Sequence, residues 1–213
     1  MPALPASVAR RFTQLLLGLF LYGIGISLMV RAGIGVAPWD VLTQGVSRQS
    51  GLSFGLVTNL IGVAVLLLWL PIRETPGLGT LLNVLLIGPS AQFGLGLFPQ
   101  LHDAWLLQAS MFACGLAVLA LATGLYIGAR FGPGPRDGLM TGLHRRTGWP
   151  IAVVRTLIEA TVLVTGWWLG GTVGWGTLAF ALLIGPMCGH TLRWFAVTPA
   201  AATRPDCPDP AAS

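Results

Sequence analysis

The chain has 213 residues, 54% of them apolar and 9% charged, with a mean hydropathy of +0.76. A soluble domain of this size lacks the polar surface to cover so much apolar material, so composition excludes a water-soluble globular protein and points to a multi-pass membrane protein. The formal charge of +5 comes from arginine alone, as lysine is absent; the arginines stand at the ends of apolar runs and not in a stripe interleaved with stacking aromatics, which argues against a nucleic-acid partner.

Residues 1–11 form a basic lead, closed by Arg10 and Arg11, to a first apolar run over 12–30. That run is too long for the core of a cleaved signal peptide and reads as a retained span. Next comes "GVAPWDVL" at 35–42. A helix from Pro38 to Arg48 is about 16 Å long, half a hydrocarbon core. The glycine-rich lead-in 33–37, if extended, covers about 17 Å. Two half-core limbs suit a re-entrant hairpin; the alternative is a short helix on the membrane surface. Pro38 fits the first helical position, where its missing N–H costs nothing. Asp40, beside Trp39, then falls in the first turn and complements the positive end of the helix.

Spans over 54–70 and 78–98 follow, the latter interrupted by Gly88-Pro89. A fourth covers 104–129, after which "GPGPRDGL" at 132–139 repeats the Pro-x-Asp phrase with Pro135, Arg136 and Asp137. The fifth span, 151–169, carries Arg155 and Glu159 one helical turn apart, and Glu159 lies about 12 Å in from Ile151, close to mid-membrane. The glycines of "GWWLGGTVGWG" read most simply as a tight loop, and close helix packing is the alternative. The sixth span, 175–195, contains Gly185-Pro186, and residues 199–213 read as a disordered Pro/Ala-rich tail. Every tryptophan except Trp39 lies near a span end, as an interfacial belt requires.

Asp137 follows Asp40 by 97 residues (137 − 40), and the same offset holds far beyond the motif. "GLGTLLNVLLIGPS" at 77–90 lies over "GWGTLAFALLIGPM" at 174–187, and "LTQGVSRQSG" over "LMTGLHRRTG". Matches at Pro38/Pro135, Arg48/Arg145, Thr80/Thr177 and Pro89/Pro186 exceed what shared leucine and alanine content produces. The predicted fold is therefore all-α: six spans as two three-span units, 12–98 and 104–195, with a short re-entrant or interfacial helix after the first and fourth spans. An odd number of crossings per unit makes the repeat inverted. Arginines concentrate on one side when the N- and C-termini are both cytoplasmic, the outer side retaining only Arg31 and Arg48.

Paired broken segments in an inverted repeat point to a transport site, which makes Asp40, Asp137, Arg136, Arg155, Glu159 and Trp39 candidates for substrate or ion binding. The blander readings are self-capping for the aspartates and an internal ion pair for Arg155 and Glu159. Pro38, Pro135, Gly88, Pro89, Gly185 and Pro186 are helix-break or hinge candidates; packing kinks are the alternative. Asn59 and Asn83 suit interhelical hydrogen bonds. No catalytic residue is assigned: the three histidines do not group with acids at metal spacing, no nucleophile elbow is present, and the glycine-rich segments follow spans, not strands. Neither metal nor cofactor is expected. Cys114, Cys188 and Cys207 form no framework.

The combination "GVAPWDVL…GLSFG…GTLLNVLLIGP" with "GPGPRDGLMTGLHRRTG…VRTLIEATVLVTGWWLGGTVGWGT" resembles the YczE group of the YczE/YyaS/YitT bacterial integral membrane proteins. The resemblance covers nearly all of the chain outside its tails and implies a bacterial cytoplasmic (inner) membrane location, but no catalytic residue. The expected function is a small-molecule permease or secondary transporter with the bilayer, an unknown small substrate and, compatibly, a second copy as partners. The alternative is an accessory protein that docks a partner through its basic second-half linker.

Overall fold

The computed structural model describes residues 8–195. All regular structure there is helical: α1 (Val8–Ala32), α2 (Pro38–Ser50), α3 (Phe54–Leu67), α4 (Trp69–Ile72), α5 (Leu78–Leu97), α6 (Trp105–Gly128), α7 (Pro135–Thr147), α8 (Ile151–Trp168) and α9 (Trp175–Phe195). Six helices are long and apolar enough to cross a bilayer, with α3 and α4 counting as one. The tail expected at 199–213, with Cys207, lies outside the described residues, as does the chain before Val8.

The second-span run is less regular than its hydropathy suggests. It breaks at Leu68 between α3 and α4, because Pro71 has no N–H for the Leu67 carbonyl and its ring crowds that oxygen. The starts of α6, α7, α8 and α9 each fall 97 residues after those of α1, α2, α3 and α5 (105 − 8, 135 − 38, 151 − 54, 175 − 78). Backbone detail follows the same offset: Gly35 and Gly132 have φ 119° and 120°, and the helix-ending Gly51 and Gly148 both have φ 71°. Only glycine adopts the first pair at little cost.

The core lies between α1, α5 and α6, built from Leu19, Ile26, Met29, Ala91, Phe112 and Leu116 among others. Lipid tails are as apolar as these side chains, so close backbone packing supplies much of the cohesion. A Cβ on Gly23 would stand 2.6 Å from the Ala91 nitrogen, and one on Gly25 2.9 Å from the Gly115 oxygen. The glycines thus permit α1 to sit against α5 and α6 at backbone distance.

Polar contacts gather the helix ends into two sets. At one, Arg11 donates to the Ala129 oxygen at 3.1 Å and stacks on Phe131, while Gln14 donates to Leu125 and Phe195 oxygens. At the other, Arg31 donates to the Leu95 oxygen and the Leu101 nitrogen donates to the Arg31 oxygen. The beginning of α1 therefore keeps company with the ends of α6 and α9, and its own end with that of α5.

Candidate functional site

Each short helix docks on the opposite half of the chain. The lead-in to α2 is tied to the start of α9 by Gly176 N–H donating to the Ile34 oxygen at 2.9 Å. Ninety-seven residues away, Gly79 N–H donates to the Phe131 oxygen at 2.9 Å and ties the lead-in of α7 to the start of α5. Thr80 adds a hydroxyl bridge, accepting from Gly77 N–H at 3.2 Å and donating to the Pro133 oxygen at 2.7 Å. Along its length α2 lies on α8, where a Cβ on Gly45 would stand 2.6 Å from the Gly166 oxygen. The run "GWWLGGTVGWG" therefore does both things its glycines allow: Gly166 admits a neighbouring helix, and the segment after Trp168 makes the turn.

The far ends of the two short helices are held differently. Arg48 of α2 donates to the Gly170 oxygen and, at 3.1 Å, to the Thr172 hydroxyl, beside the end of α8. Arg145 of α7 pairs with Glu74, just beyond α4. From these separate anchorages the helices converge on their N-termini. The Arg136 guanidinium lies 4.9 Å from the centre of the Trp39 ring and 4.0 Å from Asp40 Oδ1. Trp39 and Arg136 are themselves 97 residues apart (136 − 39), so equivalent positions of the two segments meet face to face.

Local sequence explains the pose of each segment. Pro38 and Pro135 begin their helices, no side chain caps either start, and Asp40 and Asp137 occupy the first turns. Asp137 Oδ2 accepts from the Tyr126 hydroxyl of α6 at 2.9 Å. Trp69, packed with Trp39, Val65 and Leu139 and only 2% exposed, donates its indole N–H to the Pro135 oxygen at 3.0 Å.

Between the two N-termini is a cavity of about 400 Å³. Tyr22, Trp39, Asp40, Asn83, Tyr126, Arg136 and Asp137 line it, with Arg155 and Glu159 on the α8 side. Five of the six binding candidates are charged, and all six therefore share one cavity. Arg155 donates to Glu159 at 2.9 Å, so the internal pair expected from their spacing is present as well. Three acids face two arginines there.

Buried polar atoms normally find partners, since leaving one unsatisfied costs about 1–3 kcal/mol. Trp39 Nε1 and Asp40 Oδ1 have none among the described residues, although Asp40 is 1% exposed. The Arg136–Asp40 separation is too long for a hydrogen bond. One unused donor and one unused acceptor thus belong to consecutive residues that line the cavity.

The helix-break candidates divide. Pro38 and Pro135 start the converging helices, whereas α5 and α9 run on through Pro89 and Pro186. Gly88 is buried against Gly55 and Asn59, so there its size serves packing; Gly185 faces open space. Asn59 makes an interhelical bond to the Leu85 oxygen at 3.4 Å, while Asn83 faces the cavity. No group of three or more His, Cys, Asp or Glu residues suited to a metal ion occurs among the described residues.

Sequence reasoning passed over Tyr22 and Tyr126, whose rings pack edge to face at 5.9 Å. A signal was present: the chain has two tyrosines, both within apolar runs, where a hydroxyl needs a partner.

Comparison with known proteins agrees with the membrane architecture. Residues 9–193 match the family model described as a family of unknown function, DUF6198. The chain is 40% identical over 193 residues to an uncharacterised protein of Haemophilus influenzae, covering 89% of this chain and 87% of the relative. It is 33% identical over 177 residues to the uncharacterised membrane protein YczE of Bacillus subtilis, covering 82% of each, and 29% identical to YyaS of the same organism, covering 82% of this chain and 88% of that one. No solved structure matches. The chain therefore belongs to the DUF6198 family, within the YczE/YyaS group of bacterial membrane proteins.

Proposed function

We propose that this protein is a small-molecule permease or secondary transporter of the bacterial inner membrane. In this reading its halves are inverted repeats, both termini are cytoplasmic, and α2 and α7 are re-entrant helices whose N-termini reach the membrane interior from opposite faces. One observation carries the proposal: two helices too short to cross a bilayer converge, N-terminus to N-terminus, on a cavity holding buried charge and unpartnered polar atoms. Irregular backbone and ionisable groups at membrane depth persist where they line a cavity, and broken helices at the repeat interface are how many carriers hold substrate. A cavity of this size suits a metabolite, not a polymer. The reading assigns no catalysis to the chain.

Uptake of a labelled metabolite pool into proteoliposomes tests it. Asp40→Asn and Asp137→Asn are expected to abolish accumulation of any transported compound while insertion and melting temperature stay near the parent. Wild-type vesicles that accumulate nothing from the pool, or aspartate variants that accumulate normally, would sink the reading.

A second reading has support in the exposed basic end of α7, where His144, Arg145 and Arg146 stand together. It makes the protein a docking platform for a partner. Since Arg145 already pairs with Glu74, Arg146→Ala is the cleaner probe: docking predicts loss of a co-purifying partner on that change, with both aspartates dispensable.

A further inference from the structure

In the first half of the chain, α3 lies along α5. Gly55 and Gly88 are buried against one another, Gly55 N–H donates to Gln92 Oε1 at 3.1 Å, and a Cβ on Gly62 would stand 3.2 Å from the Val84 methyls. Displaced by 97 residues, the corresponding pair is α8 and α9, where Ala152, Glu159, Ala181, Gly185 and Gly189 stand at the positions of Gly55, Gly62, Val84, Gly88 and Gln92. There the packing is missing. No comparable run of contacts joins α8 to α9; Ala152, Thr156, Gly185 and Gly189 are all exposed. A Cβ added at Gly185 or Gly189 would meet nothing within 4 Å. Arg155 and Glu159 on one side and Gly185 and Gly189 on the other line the cavity, so the cavity's wall is open between these helices.

Glycine inside a helix is less favourable than alanine, and in this arrangement the smallness of Gly185 and Gly189 gains no contact. It does so only if another helix approaches. We infer that α8 and α9 form a gate, open in this structure, that closes by packing Ala152 and Thr156 of α8 against the Gly185/Gly189 face of α9 as α3 packs on α5. The inference rests on the transporter reading, to which it adds the moving elements and the state described. On closure Glu159 comes opposite Ala181, where the first half sets Gly62 opposite Val84, so a large side chain meets a small one in each pair. The Arg155–Glu159 pair, with Arg155 now 52% exposed, is covered in the closed gate. The reciprocal parting of α3 from α5 would expose the same cavity to the other face, a discrete repacking of helices of the kind switching proteins use.

Oxidative cross-linking in nanodiscs tests the gate independently of transport. In a background of Cys114→Ser, Cys188→Ser and Cys207→Ser, the pair Ala152→Cys with Gly185→Cys is expected to form an intrachain disulfide as the closed state is visited. Adding Gly189→Leu, which enters open space here but overpacks the closed interface, is expected to lower the yield about tenfold or more without lowering the melting temperature. No cross-link, a cross-link insensitive to Gly189→Leu, or cross-linking between chains in place of within one overturns the gate; the last would make this face an interface between copies. An intrachain bond that obeys Gly189→Leu in a protein that moves no solute would uphold the gate and overturn the transporter.

Discussion

At the scale of the residue, close contact between backbones rests on individual glycines. Gly166 is the clearest test, since α2 passes over it with Leu42 Cα 2.5 Å from where its Cβ would stand. Gly166→Leu has no free direction to grow in and is expected to destabilise the protein by about 1–3 kcal/mol or more, read as a lower melting temperature in detergent. Trp69→Phe removes the indole donor to Pro135, whose carbonyl keeps its place in the first turn of α7, a cost of about 0.5–1.5 kcal/mol. Because that bond positions the start of α7, the same variant is expected to weaken uptake. Asp40 and Asp137 could be singled out by the repeated Pro-x-Asp phrase, and Arg155 and Glu159 by charge within an apolar run. Tyr126 was legible only as a hydroxyl in need of a partner: that the partner is Asp137 follows from α6 running past the start of α7. No local pattern records that adjacency.

At the scale of the element, span limits followed hydropathy closely, although α1 begins at Val8, four residues before the apolar run that marked it. The break at Leu68 was missed because summed hydropathy takes no account of the carbonyl that Pro71 cannot satisfy. Cross-docking of the short helices was also beyond pattern, since it depends on which neighbours the lead-ins find. The two lead-ins are fastened unequally: Thr80 bridges Gly77 N–H and the Pro133 oxygen, whereas Thr177 accepts only a 3.4 Å bond from Gly174 N–H among its described contacts. Thr80→Val is therefore expected to cost about 1–3 kcal/mol and Thr177→Val a fraction of that. Comparing the melting temperatures of the two variants checks the ranking; an equal loss would contradict it.

At the scale of the whole molecule, the proposed architecture sends α2 and α7 to opposite faces of the bilayer. Cysteines placed at Arg48 and Arg145, in the cysteine-free background, are expected to react with an impermeant maleimide from opposite sides: position 48 in intact cells and position 145 only in inverted vesicles. Reaction from a single side would end the inverted reading and with it the shared cavity. The contacts of Arg11 and Gln14 with the ends of α6 and α9 require residues at both ends of the described chain to share one face. The expected cytoplasmic placement of both termini has the same requirement. The distribution of arginine predicts which face is cytoplasmic, but it holds no record of which pair of spans stands apart. The two halves differ there by a few residues whose effect depends on packing across the whole bundle.

The encounter of Trp39 with Arg136 has a further consequence if the halves descend from one ancestral unit. Two identical, separate subunits meeting about a twofold axis must set like against like, so indole would confront indole or one guanidinium repel another. Joining both copies in a single polypeptide releases that constraint. Each side of the axis can then mutate alone, and an aromatic face and a cation become available to one another where the two short helices meet.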